Sequence, residues 1–151
     1  MSTVIIGIGN PVLSDDSVGL RIARELRHRV TGRSVDIVEL CAGGLRLVEA
    51  LAGYDRAIVI DAMESGARPG TIHQLDSAGL PMTRGAHSTH HGGLPEAMEV
   101  GRIAGLRIPG EIRVWGIEAA DVETFSESLT PSVEEAVDAV VEGVLRSLQE
   151  P

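Results

Sequence analysis

The chain has 151 residues, of which 43% are hydrophobic and 23% are charged. This length suits one domain of about 100 to 200 residues, and the apolar content excludes an intrinsically disordered chain. The formal net charge is −9, and aromatic residues make up only 2% of the chain. A surface of this sign repels nucleic-acid phosphates and anionic lipids, and few rings are present to stack on bases. We therefore expect neither a nucleic acid nor a membrane as a partner.

Cysteine content and the first residues predict a cytoplasmic protein. Cys41 is the sole cysteine, which excludes an internal disulfide, and the segment Met1–Gly7 lacks the basic region of a secretory signal. Charged residues interrupt every apolar run before it reaches the ~20 residues that span a membrane. Because its sequence surroundings offer little positive charge to activate a thiolate, Cys41 is expected to be a small, partly buried core residue.

Hydrophobic periodicity predicts strands that alternate with helices. A β-branched run over Thr3–Ile8 ends in a glycine-containing turn, and apolar residues then recur every four positions from Asp15 to Val30, as on one face of a helix. The other predicted strands are Val35–Leu40, Ala57–Ile60, Gly70–Leu75 and Ile112–Ile117. The other predicted helices are Leu45–Leu51, Pro95–Ala104 and Pro131–Leu148, the last with Thr130 as its N-cap.

The alternation of strands and helices predicts an α/β fold. Short connections of this kind favour parallel strands with right-handed crossovers and helices on both faces. Gly70–Leu75 is the exception, since its short connection favours an antiparallel edge strand. We predict a single three-layer domain over residues 1–151, with a mostly parallel twisted sheet flanked by helices.

The segment Asp76–Gly93 shows no periodicity and contains His87, His90 and His91. Long irregular segments inside compact domains are more often functional than not. The histidines do not form the H-E-x-x-H motif that places two zinc ligands on one helix face, so a zinc peptidase of that type is not indicated. This segment is nevertheless the first place to look for a functional histidine.

Two acids are predicted to follow strands at the carboxyl edge of the sheet, where α/β proteins bind ligands. Asp61 directly follows Ala57–Ile60, and Asp16 lies beyond the turn that leaves the first strand. With His90 they would form a mixed oxygen and nitrogen set, suited to a divalent transition metal with open positions or to acid/base chemistry. The alternatives are an ordinary first-turn acid, a turn residue and a solvated histidine.

The opening turn also invites a dinucleotide-binding interpretation. Gly7 and Gly9 begin the fingerprint, and Glu39 stands near the end of the second strand, where a ribose-binding acid is found. The third glycine position, however, holds Val12, and two acids at the start of the helix would repel phosphate. The sequence therefore disfavours a nucleotide-binding regulator without removing it as an alternative.

Short motifs stand in a characteristic order along nearly the whole chain. They are Gly7-Ile8-Gly9-Asn10, then Leu13, Asp15, Asp16 and Gly19, then Asp61 after an apolar strand, Ser88-Thr89-His90, and Leu129-Thr130-Pro131 before the last helix. In order, spacing and chain length, the sequence resembles the hydrogenase maturation endopeptidases. Ser17 stands where a glycine is frequent in that family, and His91 follows His90 directly.

The resemblance implies a peptidase that makes one cut near the C-terminus of the large subunit of a nickel–iron hydrogenase, after nickel insertion. It implies that two acids and a histidine carry catalysis and bind the metal, and these are here Asp16, Asp61 and His90. It also implies a glycine-rich substrate loop after the second strand, here Gly43 and Gly44. The nickel is expected to be supplied by the substrate precursor, so the protease need not own a metal. The alternative is a nickel-sensing chaperone that binds the same precursor without cutting it.

Overall fold

The computed structural model describes residues 1–32, 34–41, 43–76 and 93–150. Its strands are β1 (Thr3–Ile8), β2 (Val35–Leu40), β3 (Arg56–Met63), β4 (Ile72–Asp76) and β5 (Glu111–Glu118). Its helices are α1 (Val18–Arg29), α2 (Leu45–Leu51), α3 (Leu94–Ile103) and α4 (Pro131–Leu148), and a 3₁₀ turn, Ser14–Ser17, precedes α1.

The strands form one sheet in the order β2-β1-β3-β5-β4. All neighbours pair in parallel except β4, which runs antiparallel to β5 at the edge. Gly7 lies opposite Ile60 in β3, and Asp61 lies opposite Gly116 in β5. The predicted antiparallel edge strand is therefore confirmed, and the first strand pairs directly with the third.

Helices cover both faces of the sheet, which gives the three predicted layers. On one face, Ile58 and Ile60 of β3 pack in a core with buried residues of α1 and α4. On the other face, Ala57 and Val59 pack with buried residues of α2 and α3. Every residue of β1 and β3 is buried. Burial on both faces explains why these strands are continuous apolar runs, as is typical of parallel sheets.

The predicted helix from Asp15 to Val30 is wrong at its start, because α1 begins only at Val18. The preceding turn is tied to the segment between β5 and α4: the Ser14 N–H donates to the Ser126 carbonyl (2.9 Å) and the Asp15 N–H to the Asp121 carbonyl (2.9 Å). Ser14 also adopts a positive φ of 47°. Bonds to a distant segment therefore take the place of regular helical bonds in this turn.

Other predicted boundaries also differ from the structure. Asp61 does not follow its strand but lies inside β3, because β5 pairs with β3 as far as Met63. Thr130 occupies the position before α4, but its hydroxyl makes no capping bond and instead donates to Asp15. Strand β4 begins at Ile72, two residues later than the predicted start.

Candidate functional site

The first turn of α1 lies directly on the carboxyl ends of two central strands. A Cβ atom at Gly19 would lie 2.4 Å from the Ile60 carbonyl oxygen and 2.4 Å from that of Ile8. No side chain fits at such distances, so glycine is what permits the contact. The 3₁₀ turn that precedes α1 is thereby held over the edge where β1 and β3 end, with Cα atoms of the turn and β3 within 8 Å.

Asp16 and Asp61 both lie at this carboxyl edge, one in the 3₁₀ turn and the other in β3. Asp16, in the 3₁₀ turn, is 4% exposed, and its Oδ2 accepts the backbone N–H of Asn10 at 3.0 Å. Asp61, in β3, is 7% exposed, and its Oδ1 accepts the N–H of Ala62 at 2.8 Å. Backbone donors thus help to orient both carboxylates. Placing two acids at one largely buried edge creates a negative potential that favours a cation.

The third predicted ligand, His90, lies outside the described residues, as do His87 and His91. Within the ranges that the structure describes, no group of three or more His, Cys, Asp or Glu side chains could hold a metal ion. Of the three predicted ligands, the described part of the chain therefore contains only Asp16 and Asp61.

Gly43 and Gly44 lie between β2 and α2, just beyond the same edge of the sheet. Gly44 has a positive φ of 64°, and a Cβ there would contact nothing within 4 Å. A backbone with such open space beside it is accessible to an extended peptide.

Cys41, which directly follows β2, is exposed, so the predicted partly buried core position is wrong.

Asp15 differs sharply from its neighbour Asp16. It is 0% exposed, and four donors of the segment between β5 and α4 reach its carboxylate. Oδ1 accepts the Thr130 N–H at 2.7 Å; Oδ2 accepts the Thr130 hydroxyl at 2.8 Å and the N–H groups of Ala120 and Asp121 at 2.9 and 3.0 Å. Asp15 therefore fastens the 3₁₀ turn to that segment, a role that sequence reasoning missed because paired first-turn acids look alike.

Sequence reasoning also missed Glu118, which is 2% exposed at the end of β5. Its carboxylate accepts the Ser65 hydroxyl (2.5 Å) and N–H (2.9 Å), and the His73 Nε2 atom lies 3.2 Å away. Burial raises the pKa of Glu118, but the hydrogen bonds from Ser65 and His73 outweigh it, so the net pKa is lower than the ordinary value. Glu118 thus holds the connection between β3 and β4 in place.

The nucleotide-binding alternative loses its acid in the structure. Glu39 lies beside α1, where Arg24 Nε is 2.8 Å from Oε1 and Arg27 pairs with Oε2. Two guanidinium groups therefore pair with the carboxylate that would otherwise bind a ribose.

No helix in the described ranges combines the length and the apolar character needed to cross a bilayer.

Comparisons with known proteins place the chain in one family. The sequence model of the hydrogenase maturation protease family matches residues 20–147. The "Hydrogenase 2 maturation protease" of Escherichia coli (strain K12) is 29% identical, with 99% of this chain and 92% of the relative covered. A "Hydrogenase expression/formation protein" of Rhizobium leguminosarum bv. viciae is 31% identical over 97% of this chain and 73% of its own length. The corresponding protein of Thiocapsa roseopersicina is 28% identical, and 66% of its length is covered.

Solved structures show the same fold. A hydrogenase maturating endopeptidase from E. coli superposes with a TM-score of 0.83 at 27% identity, covering 99% of this chain and 93% of that one. The solution structure of an endopeptidase from Escherichia coli gives a TM-score of 0.87 at 29% identity, with the same coverage. The family match spans most of the chain, and the predicted α/β fold is confirmed. The chain belongs to the hydrogenase maturation protease family.

Proposed function

We propose that the protein is an endopeptidase that removes a C-terminal peptide from the nickel-loaded large-subunit precursor of a nickel–iron hydrogenase. One observation carries the proposal: in a member of this protease family, Asp16 and Asp61 bring two largely buried carboxylates to the carboxyl edge of the sheet. Names of relatives that refer to hydrogenase maturation support the same class of substrate.

The two carboxylates are suited to contact a divalent cation that the substrate carries. Burial weakens the screening by water, so the attraction between these acids and an arriving cation is stronger than it would be on the surface. His90 is assigned as the third contact. A set of three protein donors leaves coordination positions for groups of the precursor, which is what shared binding of the substrate's nickel requires. The metal then reports that the precursor is ready to be cut.

Hydrogen bonds to the backbone keep the acids in a fixed orientation before the substrate arrives. The N–H of Asn10 holds Oδ2 of Asp16, and the strand pairing of β3 holds the backbone of Asp61 opposite Gly116. Such preorganisation reduces the entropy lost when the substrate docks. The half-buried backbone at Gly44, which has open space where a Cβ atom would lie, is at the same edge and is assigned to the approach of the extended C-terminal tail.

The test is the intact mass of the precursor, nickel-loaded and nickel-free, after incubation with the wild-type protein, Asp16→Asn or Asp61→Asn. Asparagine is nearly isosteric with aspartate but is a weaker ligand for a divalent cation. We expect the wild type to release a fixed C-terminal mass from the nickel-loaded sample only, and each variant to slow this release by about 100-fold or more. Asp138→Asn, in an exposed position on α4, is the matched control and should cut at the wild-type rate.

Full activity of both Asp16→Asn and Asp61→Asn would contradict the assigned metal contacts. Absence of any mass loss with wild-type protein, together with a stable nickel-dependent complex, would instead establish the non-cleaving chaperone. Urea unfolding of each variant shows whether a lost activity comes from the site or from a lost fold.

A further inference from the structure

Phe125, the single phenylalanine of the chain, is 84% exposed. Trp115, by contrast, is buried with 6% exposure, so aromatic rings are not in surplus in this core. Burying a phenylalanine ring stabilises a fold, and this position gives up that stabilisation. Large aromatic side chains that protrude in this way are typical anchors of protein interfaces.

Hydrogen bonds hold the segment that carries Phe125 on both sides of this residue. On one side, Asp121 Oδ1 accepts the N–H groups of Glu123 and Thr124, each at 2.9 Å. On the other side, the Ser126 N–H donates to the Val12 carbonyl at 2.9 Å, and the Ser126 carbonyl accepts the Ser14 N–H at 2.9 Å. The ring is therefore presented by a backbone that hydrogen bonds hold on both sides, so little backbone entropy is lost when a partner covers it.

The ring lies beside the candidate site. Ser126 pairs with Leu13, and the neighbouring Val12 is itself 43% exposed. Val12 precedes Asp16 by four residues, so their Cα atoms lie at most about 15 Å apart. An extended segment of four or five residues covers that distance at about 3.3 Å per residue. A substrate chain at Asp16 can therefore reach this surface directly.

The charges around the ring define the kind of segment that fits. Glu123 and Glu127 flank Phe125 and are both exposed, and the whole chain carries a net charge of −9. Exposed acids two residues to either side of an apolar anchor favour a partner segment that carries lysine or arginine near a large apolar side chain, and they repel an acidic one. We name Val12, Glu123, Phe125 and Glu127 the Phe125 surface.

We propose that the Phe125 surface docks a segment of the hydrogenase precursor in which a large apolar side chain is flanked by basic residues, close to the bond that is cut. This inference rests on the proposed function and adds to it a second contact with the substrate, apart from the metal. Phe125 acts here in binding and has no part in the chemical step.

The test compares Phe125→Ala with Ile103→Ala as a matched control. Ile103 is 79% exposed at the end of α3, and the chain beyond it reaches the opposite edge of the sheet, where the Arg107 carbonyl accepts the Gly53 N–H. With the nickel-loaded precursor as substrate, we expect Phe125→Ala to raise KM about 10-fold and to leave kcat within about 2-fold. Ile103→Ala should change neither constant. Phe125→Tyr, which keeps the ring, should restore KM to within about 2-fold of wild type.

The charges are tested with the double variant Glu123→Gln/Glu127→Gln. We expect it to slow association with the precursor several-fold at low ionic strength, and the difference should disappear at about 0.5 M salt because the Debye length is then only a few ångströms. Direct binding of the precursor to the wild type, Phe125→Ala and Ile103→Ala gives Kd values independently of cleavage.

The outcomes separate this inference from the proposed function. If the wild type cleaves and Phe125→Ala has an unchanged KM and Kd, the docking surface is refuted and the protease function stands. If the wild type binds without cleaving, the proposed cleavage fails, and the Kd of Phe125→Ala alone decides the docking surface. Equal losses in Phe125→Ala and Ile103→Ala, or conversion of a wild-type dimer to a monomer by Phe125→Ala in sedimentation, would also overturn it.

Discussion

Asp15 and Asp16 provide a sharp test of how neighbouring acids divide their roles. In Asp15→Asn, the side-chain oxygen can keep the Oδ2 position, where three donors converge, but the amide nitrogen then faces the Thr130 N–H that Oδ1 accepts at 2.7 Å. One bond is lost, and two donors point at each other. The perturbation is confined to a fully buried carboxylate, so water cannot replace the missing acceptor.

The cost of Asp15→Asn follows from these contacts. An orphaned buried N–H costs about 1 to 3 kcal/mol, and the three remaining bonds lose the extra strength that an ionised acceptor gives them. A neutral amide is less costly to bury than a carboxylate, which offsets part of the loss. We therefore expect a loss of about 2 to 4 kcal/mol from the free energy of unfolding, out of the 5 to 15 kcal/mol that is typical of a domain.

Urea unfolding followed by the fluorescence of Trp115, the single tryptophan, measures this loss. With a slope of about 2 kcal/mol per molar urea, the midpoint of Asp15→Asn should fall by about 1 to 2 M. Asp16→Asn is the control: its midpoint should stay within about 0.5 M of wild type while its protease activity is lost. A midpoint for Asp15→Asn equal to that of the wild type, or an equal loss in both variants, would refute the division of roles.

Two further predictions concern packing and pH. Gly19→Ala places a Cβ atom 2.4 Å from two backbone carbonyl oxygens and should lower the free energy of unfolding by more than about 3 kcal/mol. In the control Gly110→Ala, the added Cβ meets nothing within 4 Å, so the free energy of unfolding should stay within about 0.5 kcal/mol of wild type. The pKa of Glu118 is lowered in the folded state. The stability that its carboxylate contributes is therefore present above the ordinary pKa of 4.5 and is lost as the pH falls through the folded-state pKa. The difference in urea midpoint between wild type and Glu118→Gln should therefore be constant from pH 6 to 8 and shrink below pH 4.5; a difference that grows on acidification would contradict this assignment.

The regular elements could be predicted because their signals are local. Val35–Leu40 and Pro131–Leu148 agree with the structure at both ends, since β-branched runs and an apolar period of about four residues mark them directly. The boundaries that differ depend on partners far along the chain. The 3₁₀ turn before α1 depends on bonds to Asp121 and Ser126, and the extension of β3 past Asp61 depends on its pairing with β5.

The candidate site could be predicted only in part, for the same reason. The carboxyl edge of a parallel sheet follows from topology, and the positions of Asp16 and Asp61 after the first and third strands predict that both lie there. Which of two adjacent acids faces that edge depends on the donors around each. Those of Asp15 come from residues 120–130, whereas Asp16 accepts the N–H of Asn10. Cys41 and Phe125 lie outside the strands and helices, and periodicity within those elements does not encode their exposure.

Asp15 also links the two substrate contacts that we propose. Its carboxylate joins the 3₁₀ turn, which carries Asp16, to the segment between β5 and α4, which carries Phe125. A second connection, the pairing of Leu13 with Ser126, lies between them. Because these bonds fix the segment and the turn as one unit, Phe125 and Asp16 keep a constant spacing. A precursor can then satisfy both contacts only when its anchor residue and its nickel stand at the matching distance, so the loss of Asp15 should weaken recognition even where the fold survives.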